Sequence, residues 1–96
     1  TKIVIGTYSL IGENVSIRDA THGIEKNEKI QKQAVRYKEI IIGEDVWIGA
    51  NTIVLKGSLL EDGSVIGANS LVNENSNIEG NKVYAGSPVK FIKDRI

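Results

Sequence analysis

Few residues in this chain can move a proton near neutral pH. There is one histidine, His22, set in Asp19-Ala20-Thr21-His22-Gly23, and there is no cysteine. An imidazole titrates near neutrality and can serve as a general base, work typically worth on the order of 10²–10⁴ in rate. Asp19 can accept a hydrogen bond from that imidazole and fix its tautomer, or it can point outward to solvent or a ligand. On composition alone, a lone histidine is more often a surface residue than a catalyst. Without cysteine, disulfides, thiol nucleophiles and thiolate metal sites are excluded. No metal is expected.

Groups like these act only where a fold holds them, and the bulk numbers limit that fold. A chain of 96 residues makes one small domain. Twelve basic residues balance twelve acidic ones, so no overall field draws in nucleic acid or an anionic membrane. No apolar run approaches the roughly 18 residues that span a bilayer, and no signal peptide opens the sequence. No membrane insertion and a cytoplasmic location are therefore expected. The chain begins on Thr1 with a repeat already under way, and reads as the C-terminal part of a longer one.

The repeat has a period of six. Steps of six from Ile42 meet Ile48, Val54, Leu60, Ile66, Val72, Ile78 and Tyr84, and steps back from Ile17 meet Ile11 and Ile5. Ten of these eleven positions are aliphatic. Gly often follows the aliphatic residue, as at Gly6, Gly12, Gly43, Gly49 and Gly67. A small or β-branched residue comes four places after it, as at Val46, Thr52, Ser58, Ser64 and Ser70. A helix would scatter a six-residue spacing around its surface and would be weakened by so many Gly and Asn. Short strands joined by sharp corners, three to a coil, place one large aliphatic inward on each side and stack it on the next coil. The expected fold is an all-β parallel β-helix, a single domain over residues 1–96.

The frame breaks once. The hexads run to His22 and resume near Ile42 shifted by one residue. Between them, residues 23–35 are polar and lysine-rich and match no repeat. An insertion into such an array must leave at a corner, so this segment is expected to protrude as a loop, where function tends to concentrate. Residues 90–96 read as a charged C-terminal tail. Trp47, the single tryptophan, falls on an outward position, where an exposed indole points to an interface or to a ligand's apolar face.

Three stretches together resemble the hexapeptide-repeat acyltransferases: Ile42-Gly43-Glu44-Asp45-Val46-Trp47-Ile48-Gly49-Ala50-Asn51, Gly63-Ser64-Val65-Ile66-Gly67-Ala68-Asn69, and Tyr84-Ala85-Gly86-Ser87-Pro88-Val89-Lys90. Within that group the sequence is most similar to the sugar O-acetyltransferases around the maltose, galactoside, capsule and O-antigen enzymes. The resemblance implies a left-handed coil, against the usual right-handed rule for parallel crossovers, and a homotrimer using acetyl-CoA as co-substrate. It implies that His22 is the general base that takes a proton from a sugar hydroxyl, with Asp19 as its candidate partner. Trp47 would stand near the acceptor at a subunit boundary. Ala50 and Ala68 would line the groove for the pantetheine arm, with the Ala50 amide as an oxyanion donor. Lys90 and Lys93 would meet the nucleotide phosphates.

This chain also departs from the family. Asn73-Glu74 stands where such enzymes often carry Thr-Lys, and a carboxylate there is unhelpful to an anionic nucleotide. Three rival functions share the prism. An N-acetyltransferase of nucleotide-linked amino sugars differs only in its acceptor. A γ-type carbonic anhydrase needs three histidines per metal, which His22 alone does not supply. A non-catalytic assembly module would have no use for a histidine at a loop base.

Overall fold

Each side of the coil is built the same way: two or three extended residues run to a corner, and a residue that tolerates a tight turn bends the chain. The computed structural model describes all 96 residues. The first coil contains β1 (Ile3–Ile5), β2 (Leu10–Ile11) and β3 (Ser16–Ile17), and the chain then leaves it as a hairpin, β4 (Ala20–His22) and β5 (Val35–Tyr37). The second coil is β6 (Ile40–Ile42), β7 (Trp47–Ile48) and β8 (Ile53–Val54); the third is β9 (Leu59–Leu60), β10 (Val65–Ile66) and β11 (Leu71–Val72). β12 (Lys82–Gly86) and β13 (Val89–Asp94) end the chain.

Like sides stack into three faces. The first face holds β1, β6 and β9; the second holds β2, β7, β10 and β12, with β13 at its rim; the third holds β3, β8 and β11. Pairing within the coils is parallel, with Ile48 beside Ile66 and Ile66 beside Tyr84. Ile5 instead pairs with Ile42, because the hairpin excursion intervenes. That excursion is one residue longer than a whole coil, which accounts for the shift in frame. The molecule is an elongated prism with extents of 49 × 24 × 23 Å.

All eight residues of the six-step series from Ile42 to Tyr84 are buried, and with Ile40 and Val46 they form one core column. Each fully buried aliphatic contributes roughly 1.5–3 kcal/mol. At the second inward position Thr52 and Ser70 link neighbouring coils, while Ser58 bonds within its own coil to the Leu55 carbonyl. Ser70 Oγ donates to the Gly67 carbonyl at 2.7 Å and accepts from the Gly86 N–H at 3.1 Å. Ser64 Oγ is buried without a hydrogen-bond partner.

The corners explain the glycines and asparagines. Asn51 and Asn69 turn at φ 62° and 59°, in the left-handed region that Asn tolerates better than most residues. At Gly49 a Cβ would stand 2.6 Å from the backbone nitrogen of Ala68, so only glycine lets these coils approach.

The C-terminus differs from the expected tail. Residues 90–96 fall largely within β13, which runs antiparallel to β12 after a turn containing the cis Ser87–Pro88 bond. The reason lies in its apolar residues. Phe91 packs edge-on against Tyr84, with ring centres 6.0 Å apart, and shields the last core residue. Lys82 bridges Asp94 at 2.9 Å, and Arg95 donates to Asp45 and to the Gly63 carbonyl, each at 3.0 Å.

Candidate functional site

The hairpin forms because β4 and β5 pair antiparallel, with His22 opposite Val35, and the intervening segment is braced from within. The Gln33 side chain accepts from the Glu25 N–H at 3.1 Å and donates to the Glu25 and Glu28 carbonyls at 2.9 Å. Gly23 is buried beside that carboxamide, where a Cβ would collide with it. Arg36 bonds to Glu25, and this hydrogen bond, the largest cause, holds the exposed Glu25 carboxyl below its usual value. The one 3-10 turn of the chain, Ile30–Lys32, lies in this segment.

His22 is exposed on β4 and its ring makes no hydrogen bond within the chain. Asp19 does not support it. Asp19 lies at the bend before β4, outside the strand that carries His22, and its carboxylate makes no hydrogen bond to the imidazole. The two residues that the sequence pairs are therefore not brought together.

Three other candidates do meet. Trp47, Ala50 and Ala68 line a single groove of about 560 Å³, with Glu13, Gly49 and Gly67. Trp47 is 54% exposed and forms one wall. The groove follows the edge between the second and third faces, parallel to the prism axis. The N–H groups of Ala50 and Ala68, one coil apart on this edge, donate to no acceptor in the chain, whereas the Gly49 and Gly67 amides pair with Ile66 and Tyr84. With the Glu13 N–H, which is also unpaired, three free donors stand one above the other in a narrow slot walled largely by glycine and alanine. Such an arrangement suits a thin, amide-bearing chain, and it can hold a developing oxyanion.

Lys90 and Lys93 are exposed on β13, opposite Ala85 and Val83. Ala85 sits directly beyond Gly67, so Lys90 continues the groove's edge, and Lys93 lies three residues further along the rim, opposite Val83. The basic Arg95 near them is engaged by Asp45 and is not free to bind a ligand.

Sequence reasoning did not single out Glu13, which the fold brings to the groove from the first coil. The His22 hairpin leaves from a different edge, between the third and first faces. No cluster of acidic and histidine side chains that could hold a metal occurs, and no helix is long and apolar enough to cross a membrane.

Comparison with known proteins agrees with the repeat. Residues 39–74 match the family model described as bacterial transferase hexapeptide (six repeats). No curated protein matches the sequence. Among solved structures, a galactoside acetyltransferase in complex with coenzyme A is 33% identical with a TM-score of 0.87, over 98% of this chain and 46% of that one. A hexapeptide-repeat-containing acetyltransferase of Vibrio cholerae O1 biovar eltor, complexed with acetyl coenzyme A, is 29% identical with a TM-score of 0.87, over 98% of this chain and 50% of that one. An N-acyltransferase from Bacillus cereus in complex with dTDP and coenzyme A shares the fold at 23% identity and TM-score 0.83, over 98% and 53%. The chain thus spans about half the length of these structures. A superposition this close does not match a mirror image, so the handedness of these enzymes carries over. The chain is a left-handed parallel β-helix of hexapeptide repeats, similar along its whole length to the acyltransferases built on that fold.

Proposed function

We propose that this chain carries the donor groove and the general base of an acetyl-CoA-dependent O-acetyltransferase, acting as a homotrimer on a hydroxyl of a sugar or saccharide unit. The observation that carries the reading is the groove with Trp47 on its wall and the unpaired N–H groups of Ala50 and Ala68. In this reading the pantetheine arm lies along the groove. The Ala68 N–H meets one of its amide carbonyls, and Lys90 and Lys93 meet the phosphates beyond it.

His22 and the groove occupy different edges of one prism, with the third face between them. A working site then needs the groove of one copy against the His22 edge of the next. A contact between two unlike patches closes into a ring when the rotation allows it. Three prisms side by side make such a ring, with three equivalent sites.

The chemistry follows from that arrangement. His22 takes the proton of the acceptor hydroxyl as its oxygen attacks the thioester carbonyl carbon. The Ala50 N–H donates to the oxyanion that forms. Collapse of the tetrahedral species breaks the carbon–sulfur bond, and the imidazolium returns its proton to the departing thiolate. Asp19 has no hydrogen bond to the imidazole, and no part in orienting it is assigned to Asp19.

A thiol-release assay with acetyl-CoA, run against sugars, oligosaccharides and nucleotide-linked amino sugars, tests this directly. Turnover with a hydroxyl acceptor, lost on His22→Ala while the β-sheet circular dichroism persists, is the expected result. Turnover that survives His22→Ala removes the assigned base. Turnover with amino sugars alone replaces O-acetylation by N-acetylation.

A further inference from the structure

The corner between the second and third faces repeats from coil to coil, and its column of side chains changes type once. Glu13, Ala50 and Ala68 occupy successive coils there. The Asn51 N–H donates to the Glu13 carbonyl and the Asn69 N–H to the Ala50 carbonyl, each at 2.9 Å. The glycines before them hold the coils close: a Cβ on Gly12 would stand 2.8 Å from the Ala50 nitrogen, and one on Gly49 would stand 2.6 Å from the Ala68 nitrogen. In the second and third coils the column carries methyl groups. In the first it carries a carboxylate, and all three residues line the same groove.

The Glu13 carboxylate holds nothing else in place. It makes no hydrogen bond and no ion pair within the chain. It is also the only charged side chain in the groove's lining, which is otherwise glycine, alanine, Trp47, Val65 and Ile66. A slot that stays thin and apolar for two coils thus ends on a charge.

The height of Glu13 along the groove determines what it meets. Stacked coils rise about 4.8 Å each, and the pantetheine arm spans roughly 15 Å at standard bond lengths. With its phosphates at Lys90 and Lys93 on β13, an arm laid along the groove brings its thioester level with Ala50, about three strands back. The acyl group continues in line past Ala50 toward the first coil. Glu13 is the next residue of the column in that direction, about 4.8 Å on. An acetyl methyl extends about 1.5 Å from the carbonyl carbon, which brings it close to van der Waals contact with that level. Each further methylene adds roughly 1.3 Å. A butyryl chain therefore reaches the carboxylate, and must displace it or bury its charge against methylene groups.

We infer that Glu13 sets the acyl length of the donor: its carboxylate closes the first-coil end of the groove, admitting an acetyl group and turning away longer apolar chains. This rests on the function proposed above. The Glu13 side chain is exposed and can swing aside, so the discrimination is graded. Alanine in its place continues the column of methyl groups by one coil. It also opens the slot toward Leu10, which pairs in register with Trp47 and is 65% exposed, an apolar surface that a longer chain can cover.

Donor binding needs no acceptor, so the test is titration calorimetry of the intact protein with coenzyme A, acetyl-CoA, butyryl-CoA and hexanoyl-CoA. The unaltered protein should bind acetyl-CoA about 10-fold more tightly than hexanoyl-CoA, the scale of burying a polar group without a partner. Glu13→Ala should reverse that order, with affinity rising by up to roughly fourfold per added methylene, the ratio that burying one CH₂ supplies. Coenzyme A itself should bind as before, and the oligomeric state should not change. Glu13→Gln, which keeps the size and removes the charge, should fall between the two. The same acyl preference in the unaltered and Glu13→Ala proteins overturns the inference and leaves the acetyltransferase standing. Binding of none of the four ligands by the unaltered protein overturns the reading beneath it.

Discussion

Two glycines in the groove wall give a graded test, because the same substitution meets different neighbours. An alanine Cβ at Gly49 would stand 2.6 Å from Ala68 N, about 0.8 Å inside the 3.4 Å where ordinary contact begins. The colliding atoms are backbone, so the third coil must move. At Gly67 the nearest neighbour is the Ala85 methyl, at 3.0 Å, so the overlap is only about 0.4 Å, and the next contact is at 3.7 Å. Overpacking of the first kind costs about 1–3 kcal/mol, which for a domain of this size lowers Tm by on the order of 10 °C. The group displaced, the Ala68 N–H, is also one of the free amides in the groove. A misplacement near 1 Å can cost about 100-fold in rate. Thermal unfolding and steady-state kinetics with varied acetyl-CoA should therefore show Gly49→Ala losing both stability and catalytic efficiency. Gly67→Ala should lose less than about 1 kcal/mol and stay within roughly threefold of the unaltered rate. Equal effects at the two positions, or a Gly49→Ala protein with normal Tm and normal acetyl-CoA use, would refute the claim that this column sets the groove.

Two further outcomes follow from single side chains. The Ser64 hydroxyl is buried without a partner, so Ser64→Ala should leave urea-unfolding stability unchanged or raise it, whereas Ser70→Ala should cost about 1 kcal/mol by leaving the Gly86 N–H without its acceptor, the Gly67 carbonyl still accepting from Thr52 Oγ1. Gln33 braces the hairpin that carries His22, so Gln33→Ala should lower turnover several-fold at unchanged acetyl-CoA affinity, and a parallel loss of donor binding would show a general folding defect instead.

The inward column was fully legible, because a six-residue period with an aliphatic at each step permits little else. The exit of the hairpin was legible from the shift of frame after His22. β13 was not, since an antiparallel return carries no hexad; the signal available was Phe91 and Ile92 among the lysines, apolar residues that a solvated tail does not need. The missing bond between Asp19 and His22 was not legible, because the bend at Asp19 falls between β3 and β4 and the hexad pattern does not fix its geometry. The Lys56–Glu74 pair spans one coil and so could be read from the repeat, because residues eighteen apart stack on one edge. Lys38 could not, because the excursion between the first and second coils hides its level.

The central claim is that one site is shared between copies, with His22 from one and the Ala50 groove from the next. Two variants, His22→Ala and Ala50→Trp, should each be inactive alone, the first lacking the base and the second having its groove filled. In mixed trimers assembled from equal amounts, random association leaves about a quarter of the sites with both parts intact. Acetyl-CoA turnover recovering to about a quarter of the unaltered level is the expected result. Mixed trimers of verified composition that stay inactive would contradict the shared site, since a base and groove belonging to one chain are never both intact in such a mixture.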